Sequence, residues 1–150
     1  MKKTQLKRKN SLRRKPLRKV STSSFSTELK KTDLIFSQYV RLSNADKNGM
    51  VKCFTCDKIG FWKRDIIETG HYYSRSNYAV RFSLLNAHPQ CITCNRLLHG
   101  NLEVYKINLK DKLKTLNSQL KRKTSLTIKI LITLRKKYTK LVENLKNELK

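Results

Sequence analysis

The stretch CITCNRLLHGN, residues 91–101, contains the second of two Cys-x-x-Cys pairs in this chain of 150 residues. The first pair is CFTC, residues 53–56, and residues 57–90 separate the two pairs. Each pair presents two thiolates on one tight turn, and two such pairs complete the tetrahedral site that zinc prefers. The spacing therefore predicts a structural Zn²⁺ site. Its expected ligands are Cys53, Cys56, Cys91 and Cys94.

Four thiolate ligands leave no open position on the metal, so this zinc is expected to hold the chain together rather than to do chemistry. About 50 residues form only a small hydrophobic core. A structural zinc can add about 10–16 kcal/mol of apparent binding energy, much of it as folding energy. An iron–sulfur cluster takes the same ligands and remains an alternative. A redox-active cysteine pair would explain one Cys-x-x-Cys but not two.

The charge of the chain indicates the class of its partner. It has 35 Lys and Arg residues against 10 Asp and Glu, a formal net charge of +25. Such an excess favours a polyanion, and DNA or RNA is the first expectation. An anionic membrane surface competes with it. The longest apolar runs, such as ILITL at 130–134, are far shorter than the roughly 18 residues of a spanning helix, so no membrane partner is expected.

The N-terminus is basic, but no apolar stretch typical of a secretory signal follows it. This pattern predicts a cytoplasmic protein, in a bacterial host cell or its nucleoid. In a reducing compartment, paired cysteines are expected to bind metal rather than to form disulfides. An organellar transit peptide is the alternative interpretation of the same basic, serine-containing segment.

The chain divides into three predicted parts. Residues 1–24 read as a disordered basic arm, because half of the first twenty are Lys or Arg and none is acidic. The arm, including Arg13, Arg14 and Lys15, is expected to contact phosphates; a solubilising tail is the alternative. Residues 25–107 form the core with its leading helix, and residues 108–150 form a basic helical extension.

Apolar residues recur at helical spacing in three segments. The first is 27–43, with Ser26 or Thr27 as its expected cap. The second runs from 102 to about 116, and the third from Thr124 or Ser125 to about 148. The last segment is expected to pack on 27–43. A partner-binding or coiled-coil face is the alternative, and this helix is a candidate contact for a homodimer.

Between the cysteine pairs, TGHYYSRSNYAVRFSLLNAHPQ places His71 directly after Gly70, where the backbone turns freely. The alternation of Tyr78, Val80, Phe82 and Leu84 predicts a short strand. A helix is expected after Cys94, with Asn95 and His99 one turn apart on one face. Trp62 is expected to pack in the core, with stacking on an exposed base as the alternative.

These residues resemble the H-N-H pattern of ββα-metal (His-Me finger) nucleases in a zinc-stapled version, and most closely the bacteriophage NinG family of recombination endonucleases, also called Rap. The resemblance covers about residues 33–107. It is carried by FSQYVRL at 36–42, CFTC, GHYYSR, VRF, NAHPQCITCN and GNLEVYK. The implied fold is α+β: a small zinc-stapled ββα-metal (HNH-like) finger flanked by α-helices, with the disordered basic N-terminal arm before it.

The resemblance also implies roles for the residues of the site. His71 takes the position of the general base that activates the attacking water. Asn86 matches the asparagine that braces the hairpin loop and orients the histidine. Asn95 falls where many such enzymes have a metal-binding histidine, and His99 is a further candidate ligand for a catalytic Mg²⁺ or Mn²⁺. Gly70 stands where many of these enzymes have an Asp ligand, and Glu68 and Asp65 are the nearest acidic residues. Arg75 and Arg81 are expected to contact phosphate or to face solvent.

The leading expectation is therefore a metal-dependent DNA endonuclease. The resemblance, and not the composition, implies branched recombination intermediates such as displacement loops and Holliday-type junctions as substrate. The competing expectation is a non-catalytic zinc-containing nucleic-acid-binding protein, such as a recombination accessory. A basic structural protein, such as a ribosomal component, fits the charge but leaves His71 and Asn86 without a purpose.

Overall fold

The computed structural model describes residues 24–63 and 66–149. The predicted basic arm, residues 1–24, includes Arg13, Arg14 and Lys15. Its first 23 residues lie outside the described part of the chain, and so does Asp65. The elements in chain order are helix α1 (Phe25–Leu42), strands β1 (Met50–Lys52), β2 (Ile59–Phe61), β3 (Ile67–His71) and β4 (Ala87–Cys91), a π-helical turn (Thr93–Leu97), and helices α2 (Leu102–Leu109), α3 (Lys112–Leu120) and α4 (Ile128–Glu148). The mixture of helices and small antiparallel sheets confirms the α+β class.

Helix α1 forms where the apolar periodicity predicts it, but it begins two residues earlier. The hydroxyl of Ser24, rather than of Ser26 or Thr27, accepts a hydrogen bond from the backbone N–H of Thr27 at 3.3 Å and caps the helix. Phe36 and Val40 are one turn apart and are both buried. This face is covered by α4, as predicted.

The contact between α1 and α4 combines aromatic packing with buried polar pairs. The ring of Tyr138 lies 5.0 Å from that of Phe36 and 5.1 Å from that of Tyr39. The Arg135 guanidinium donates to the buried carboxylate of Glu28 at 3.0 Å. The apolar stripe of α4 therefore packs against α1 of the same chain. The homodimer contact and the division at residue 108 stay predictions.

Two antiparallel hairpins position the cysteines and the central histidine. Strands β1 and β2 pair with Val51 opposite Gly60, and the turn between them carries Cys53 and Cys56. Strands β3 and β4 pair from Ile67 opposite Cys91 to His71 opposite Ala87. The second hairpin thus has a cysteine at one end and His71 at the other, where residues 72–86 join the strands.

The strand predicted around residues 78–84 is wrong. This segment is a series of turns, in which Val80 N–H donates to Asn77 and Ser83 N–H donates to Val80. Val80 is fully buried and Phe82 packs against α1 and α4, so two side chains point inward from successive turns. The alternating pattern is real, but turns rather than a strand produce it.

The helix predicted after Cys94 is also different. The π-helical turn ends at Leu97, and the chain then reverses through His99, Gly100 and Asn101, which have φ of 48°, 92° and 46°. Asn95 and His99 therefore do not share a helix face. The single helix predicted from 102 to 116 is interrupted at Lys110, whose φ of 49° separates α2 from α3. In the described part of the chain, no helix has the length and apolar character needed to cross a membrane.

Candidate metal centre and catalytic cleft

The four cysteines come together as the spacing predicts. Their sulfur atoms all lie within 4.8 Å of one another, and the Sγ atoms of Cys56 and Cys91 are 3.6 Å apart. A tetrahedral site with Zn–S bonds of about 2.3 Å has its sulfur atoms about 3.8 Å apart. Three of the cysteines are buried and Cys56 is half-buried. The residues present fit a structural zinc, which would tie the β1–β2 turn to the end of β4.

Backbone N–H groups are directed at the sulfur atoms. The N–H of Cys91 donates to Cys53 Sγ at 3.2 Å, and the N–H of Cys94 donates to Cys91 Sγ at 3.4 Å. Burial raises the pKa of the Cys53 thiol, but the hydrogen bonds from Cys91 and Thr55 outweigh it and lower the pKa to about 7. Burial raises the pKa of the Cys56 and Cys94 thiols. Metal binds the thiolate form, so a metal at this site would displace the protons of these two thiols.

A polar cleft of about 520 Å³ opens beside the β3–β4 hairpin. Helix α1, strand β3, the first residues of the 72–86 loop and the π-helical turn form its walls. Its lining residues are Ser37, Arg41, Glu68, Thr69, His71, Ser74, Arg75, Asn95 and Arg96. Three arginines and one glutamate give the cleft an excess of positive charge, which suits an anion such as a phosphodiester.

His71 lies at the end of β3, with its ring in this cleft. Its Nε2 atom is 3.3 Å from the backbone carbonyl oxygen of Arg81. Burial lowers the pKa of His71 to about 4, and the Arg75 guanidinium acts in the same direction. The ring is therefore neutral at pH 7. Because a carbonyl only accepts hydrogen bonds, Nε2 carries the proton and Nδ1 keeps its lone pair.

Asn86 holds the 72–86 loop together with its side-chain amide. Its Oδ1 accepts the N–H of Tyr73 at 2.7 Å, and its Nδ2 donates to the carbonyls of Tyr73 at 3.0 Å and Val80 at 3.1 Å. The residue is fully buried. These contacts brace the loop that contains Arg81, the partner of His71. Its part in catalysis stays a prediction.

The guanidinium of Arg81 forms hydrogen bonds with Asp33 and Arg75. Its Nε donates to Asp33 Oδ1 at 2.9 Å, its Nη2 donates to Asp33 Oδ2 at 2.5 Å, and its Nη1 donates to the carbonyl of Arg75. Only 12% of its side chain is exposed. The Asp33 carboxylate of α1 thus accepts two of the N–H groups of this guanidinium, and phosphate binding by Arg81 stays a prediction.

Glu68, Asn95 and Arg96 form a network on the other side of the cleft. The amide of Asn95 donates to Glu68 Oε2 at 2.8 Å, and Arg96 donates to both carboxylate oxygens of Glu68. The Glu68 carboxylate and the Asn95 amide oxygen are hard donors of the kind that Mg²⁺ or Mn²⁺ takes. Among residues 24–63 and 66–149, the four cysteines are the one group of three or more metal-binding side chains. A cation here would therefore keep several waters or share oxygens of a bound phosphate.

Because Gly70 has no side chain, the side chain of Gln90 on the neighbouring strand occupies the space beside it. A Cβ at this position would come 1.8 Å from Oε1 of Gln90. Gln90 is fully buried, and its Nε2 donates to Thr55 and to the carbonyl of Gly100. In the described structure its Oε1 has no hydrogen-bond partner. An aspartate in the position of Gly70 is therefore incompatible with Gln90.

The other predicted residues separate into those in the cleft and those outside it. Arg75 lines the cleft and is exposed, so it can reach a phosphate. His99 is exposed on the reversal after the π-helical turn and does not line the cleft. His88 stacks on Phe54 with ring centroids 4.0 Å apart, and its Nδ1 lies 3.0 Å from the hydroxyl of Tyr105. Its contacts are those of a packing residue.

Sequence reasoning missed Asp33, Arg41 and Arg96. Arg41 is almost completely buried, and its Nε donates to the carbonyl of Trp62 at 2.8 Å. Its Nη1 donates to the hydroxyl of Ser37 at 2.9 Å. Asp33 and Arg41 read as ordinary polar positions of an amphipathic helix, and no local signal marks them.

Comparison with known proteins gives a single finding. Residues 1–148 match the family model described as "NinG: Bacteriophage Lambda NinG protein". No curated protein and no solved structure matches the chain.

Proposed function

The chain belongs to the bacteriophage lambda NinG family, and from this premise we propose that it is a metal-dependent endonuclease that acts on DNA during phage recombination. The observation that carries the proposal is the His71 ring. Its Nε2 is engaged by the Arg81 carbonyl, so its Nδ1 is available as a base in a cleft of positive charge. Branched DNA is the substrate that the family resemblance implies.

The proposed reaction begins with a phosphodiester drawn to Arg75 and Arg96 at the open side of the cleft. His71 Nδ1 takes a proton from a water molecule as its oxygen bonds to phosphorus, and the bond from phosphorus to the leaving sugar oxygen breaks. The negative phosphate opposes the effect of Arg75, so substrate binding raises the pKa of His71 and makes it a stronger base. The departing oxygen takes its proton from solvent.

A divalent ion fits beside Glu68 and Asn95 once phosphate oxygens complete its ligands. When bound, such an ion supplies charge stabilisation for the phosphate and the leaving oxygen. The chain's own residues do the rest. Asn95 and Arg96 hold the Glu68 carboxylate at the cleft, and Arg41 connects α1 to β3 through the hydroxyl of Thr69.

Asp33 extends this arrangement to α1. Its carboxylate fixes the guanidinium of Arg81, and the backbone carbonyl of the same residue fixes His71. The loop 72–86 has no strand or helix of its own. This ion pair and the Asn86 amide therefore help to hold the carbonyl in place, together with the turns and the packing of Val80 and Phe82. Asp33 is therefore a positioning residue in the proposal.

The test is cleavage of labelled branched and linear DNA by the zinc-loaded protein, with Mg²⁺, with Mn²⁺ and without added divalent ion. We expect metal-dependent cutting that His71→Ala lowers by about 10²–10⁴-fold. His99→Ala is the matched control, because this exposed histidine lies outside the cleft, and it should cut like the unaltered protein. Full activity of His71→Ala would remove the proposed base.

The second candidate is a non-catalytic zinc-containing nucleic-acid-binding protein. The observation that favours it is that Glu68 is the one carboxylate lining the cleft among the described residues, together with Gly70 in the position of the usual Asp ligand. This candidate predicts tight DNA binding that His71→Ala leaves unchanged and no cutting in any metal. Both candidates predict a steep salt dependence, because each phosphate contact changes the log–log slope by about 0.9 for duplex DNA.

A further inference from the structure

A second cleft, of about 350 Å³, lies on the β1–β2 hairpin and is lined by residues other than those assigned to catalysis. Its floor is aromatic, formed by Phe61 and Trp62, and three lysines surround it: Lys47, Lys63 and Lys146. We call it the aromatic–lysine cleft. Neither the zinc site nor the proposed reaction uses these residues.

The aromatic floor is held in place but not covered. Gly49 has φ of 75°, and a Cβ on it would come 2.5 Å from the ring of Phe61, so that ring lies directly against the backbone. Phe61 is nevertheless 37% exposed, whereas Trp62 is only 5% exposed. A fixed, partly exposed aromatic face in a concave site is suited to stacking by a planar group.

The lysines supply charge around this face. Lys146 Nζ lies 5.5 Å from the centre of the Trp62 ring, and Lys63 Nζ lies 5.8 Å from that of Phe61. Lys47 is exposed at the rim. None of the three forms an ion pair with a carboxylate in the described residues. A ligand with both a planar ring and a phosphate would satisfy the floor and the rim together.

The aromatic–lysine cleft is adjacent to the catalytic cleft. Trp62 lines the first and Arg41 lines the second, and the Arg41 Nε donates to the carbonyl of Trp62 at 2.8 Å. One hydrogen-bonded pair therefore forms the wall between the two. A DNA strand that runs from one cleft to the other would place a phosphate in the first and a nucleotide against Phe61 in the second.

We propose that the aromatic–lysine cleft binds an unpaired nucleotide of a DNA strand, with its base on Phe61 and its phosphates on the lysines. A duplex base is already stacked on its neighbours and cannot take this position, so the cleft selects DNA in which bases are unpaired. The link to branched substrates rests on the proposed endonuclease function. The binding site itself does not.

Trp62 provides the probe, since it is the only tryptophan in the chain. His71→Ala protein, without added Mg²⁺ or Mn²⁺, is titrated with oligothymidine of about 15 nucleotides, within the usual range of single-strand site sizes, and with a duplex of the same length. We expect oligothymidine to change the Trp62 fluorescence strongly and the duplex to change it little. Phe61→Ala should weaken oligothymidine binding by about 5- to 100-fold, the usual effect of losing one stacked base.

Two further variants make the result specific. Ile59→Ala is the matched control, because Ile59 is an exposed apolar residue of the same strand that does not line the cleft, and it should bind normally. Phe61→Leu keeps an apolar side chain without the aromatic face and should weaken binding like Phe61→Ala. Unchanged binding in both Phe61 variants, or binding lost only when the three lysines become Gln, would overturn the proposal. The titration measures no cutting, so its failure leaves the endonuclease proposal standing, and a protein that never cuts can still pass it.

Discussion

The orientation of His71 involves a residue far away in the sequence, Asp33. Asp33 and Arg81 form a two-point ion pair between α1 and the 72–86 loop, and the carbonyl of Arg81 then accepts the His71 Nε2 proton. The proposed general base and its orienting group thus come from separate parts of the chain. This dependence leads to a prediction about a residue that touches no substrate.

We expect Asp33→Asn to lower kcat by about 10- to 100-fold with little change in KM, because a small displacement of the base is costly while the DNA contacts stay intact. Asp33→Glu should restore part of the activity. The ¹⁵N chemical shifts of the His71 ring should show loss of the single Nε2–H tautomer. Asp57→Asn is the control, since Asp57 pairs with Lys52 but has a 95% exposed side chain. Equal kinetics in both variants would contradict the positioning role.

Gly70 and Gln90 are coupled by direct contact. A Cβ at Gly70 would overlap Oε1 of Gln90, so we expect Gly70→Ala to lower the free energy of unfolding by about 1–3 kcal/mol. In a Gln90→Ala background the same substitution should cost much less. Urea unfolding of the two single variants and the double variant measures this coupling. Additive effects would show that the strand moves to accept the methyl group.

The four-cysteine site, which fits a structural zinc, connects elements that lie far apart in the chain. Cys53 and Cys56 lie in the β1–β2 turn, Cys91 ends β4, and Cys94 lies in the π-helical turn. The π-helical turn also carries Asn95 and Arg96, which hold Glu68 in the catalytic cleft. The metal staple and the catalytic cleft are therefore linked through five residues of chain.

We expect Cys56→Ser to lose stoichiometric zinc and to destabilise the fold by several kcal/mol, since metal binding contributes to folding energy. Activity should fall with it because Asn95 and Arg96 lose their anchor. Metal analysis and thermal unfolding test this. Chelation of the unaltered protein followed by added zinc is the control and should restore both properties. A visible absorption band in the purified protein would indicate an iron–sulfur cluster instead.

At the scale of the whole molecule, two half-buried histidines are expected to make stability depend on pH. Burial lowers the pKa of both His71 and His88 to about 4, against about 6.5 in an unfolded chain. Between these values the unfolded chain binds protons that the folded protein does not. Stability is therefore fully present above about pH 6.5 and falls as the pH drops towards 4.

We expect each of these histidines to contribute a slope of at most about 1.4 kcal/mol per pH unit, and less because both rings remain partly exposed. Urea unfolding at pH 5.0 and 6.5, with bound zinc measured at each pH, tests the prediction. The His88→Gln variant should show a shallower dependence than the unaltered protein. An identical slope would assign the acid sensitivity to the zinc thiolates.

The local chemistry of the sequence was enough to predict several features. The Cys-x-x-Cys spacing predicted the cysteine cluster, because ligand geometry depends on short separations. Helical periodicity predicted α1 and α4 and their contact, because an apolar stripe must be buried wherever it occurs. The resemblance to NinG proteins, and not periodicity, indicated that His71 and Asn95 belong to one site, and both line the same cleft.

Only the tertiary structure decided the rest, because it depends on contacts between residues far apart in the chain. Turns and a strand give the same alternation at 78–84, and burial against other elements selects the turns. Hydrophobic periodicity does not predict the positive φ angles at His99 and Lys110. The chain reversal at His99 places this residue outside the cleft. The sequence gives Arg75 and Arg81 the same expectation, yet Arg75 lines the cleft whereas Arg81 pairs with Asp33, 48 positions away. Spacing along the chain determined which groups can bind metal or take a proton, and long-range packing decided which of them meet.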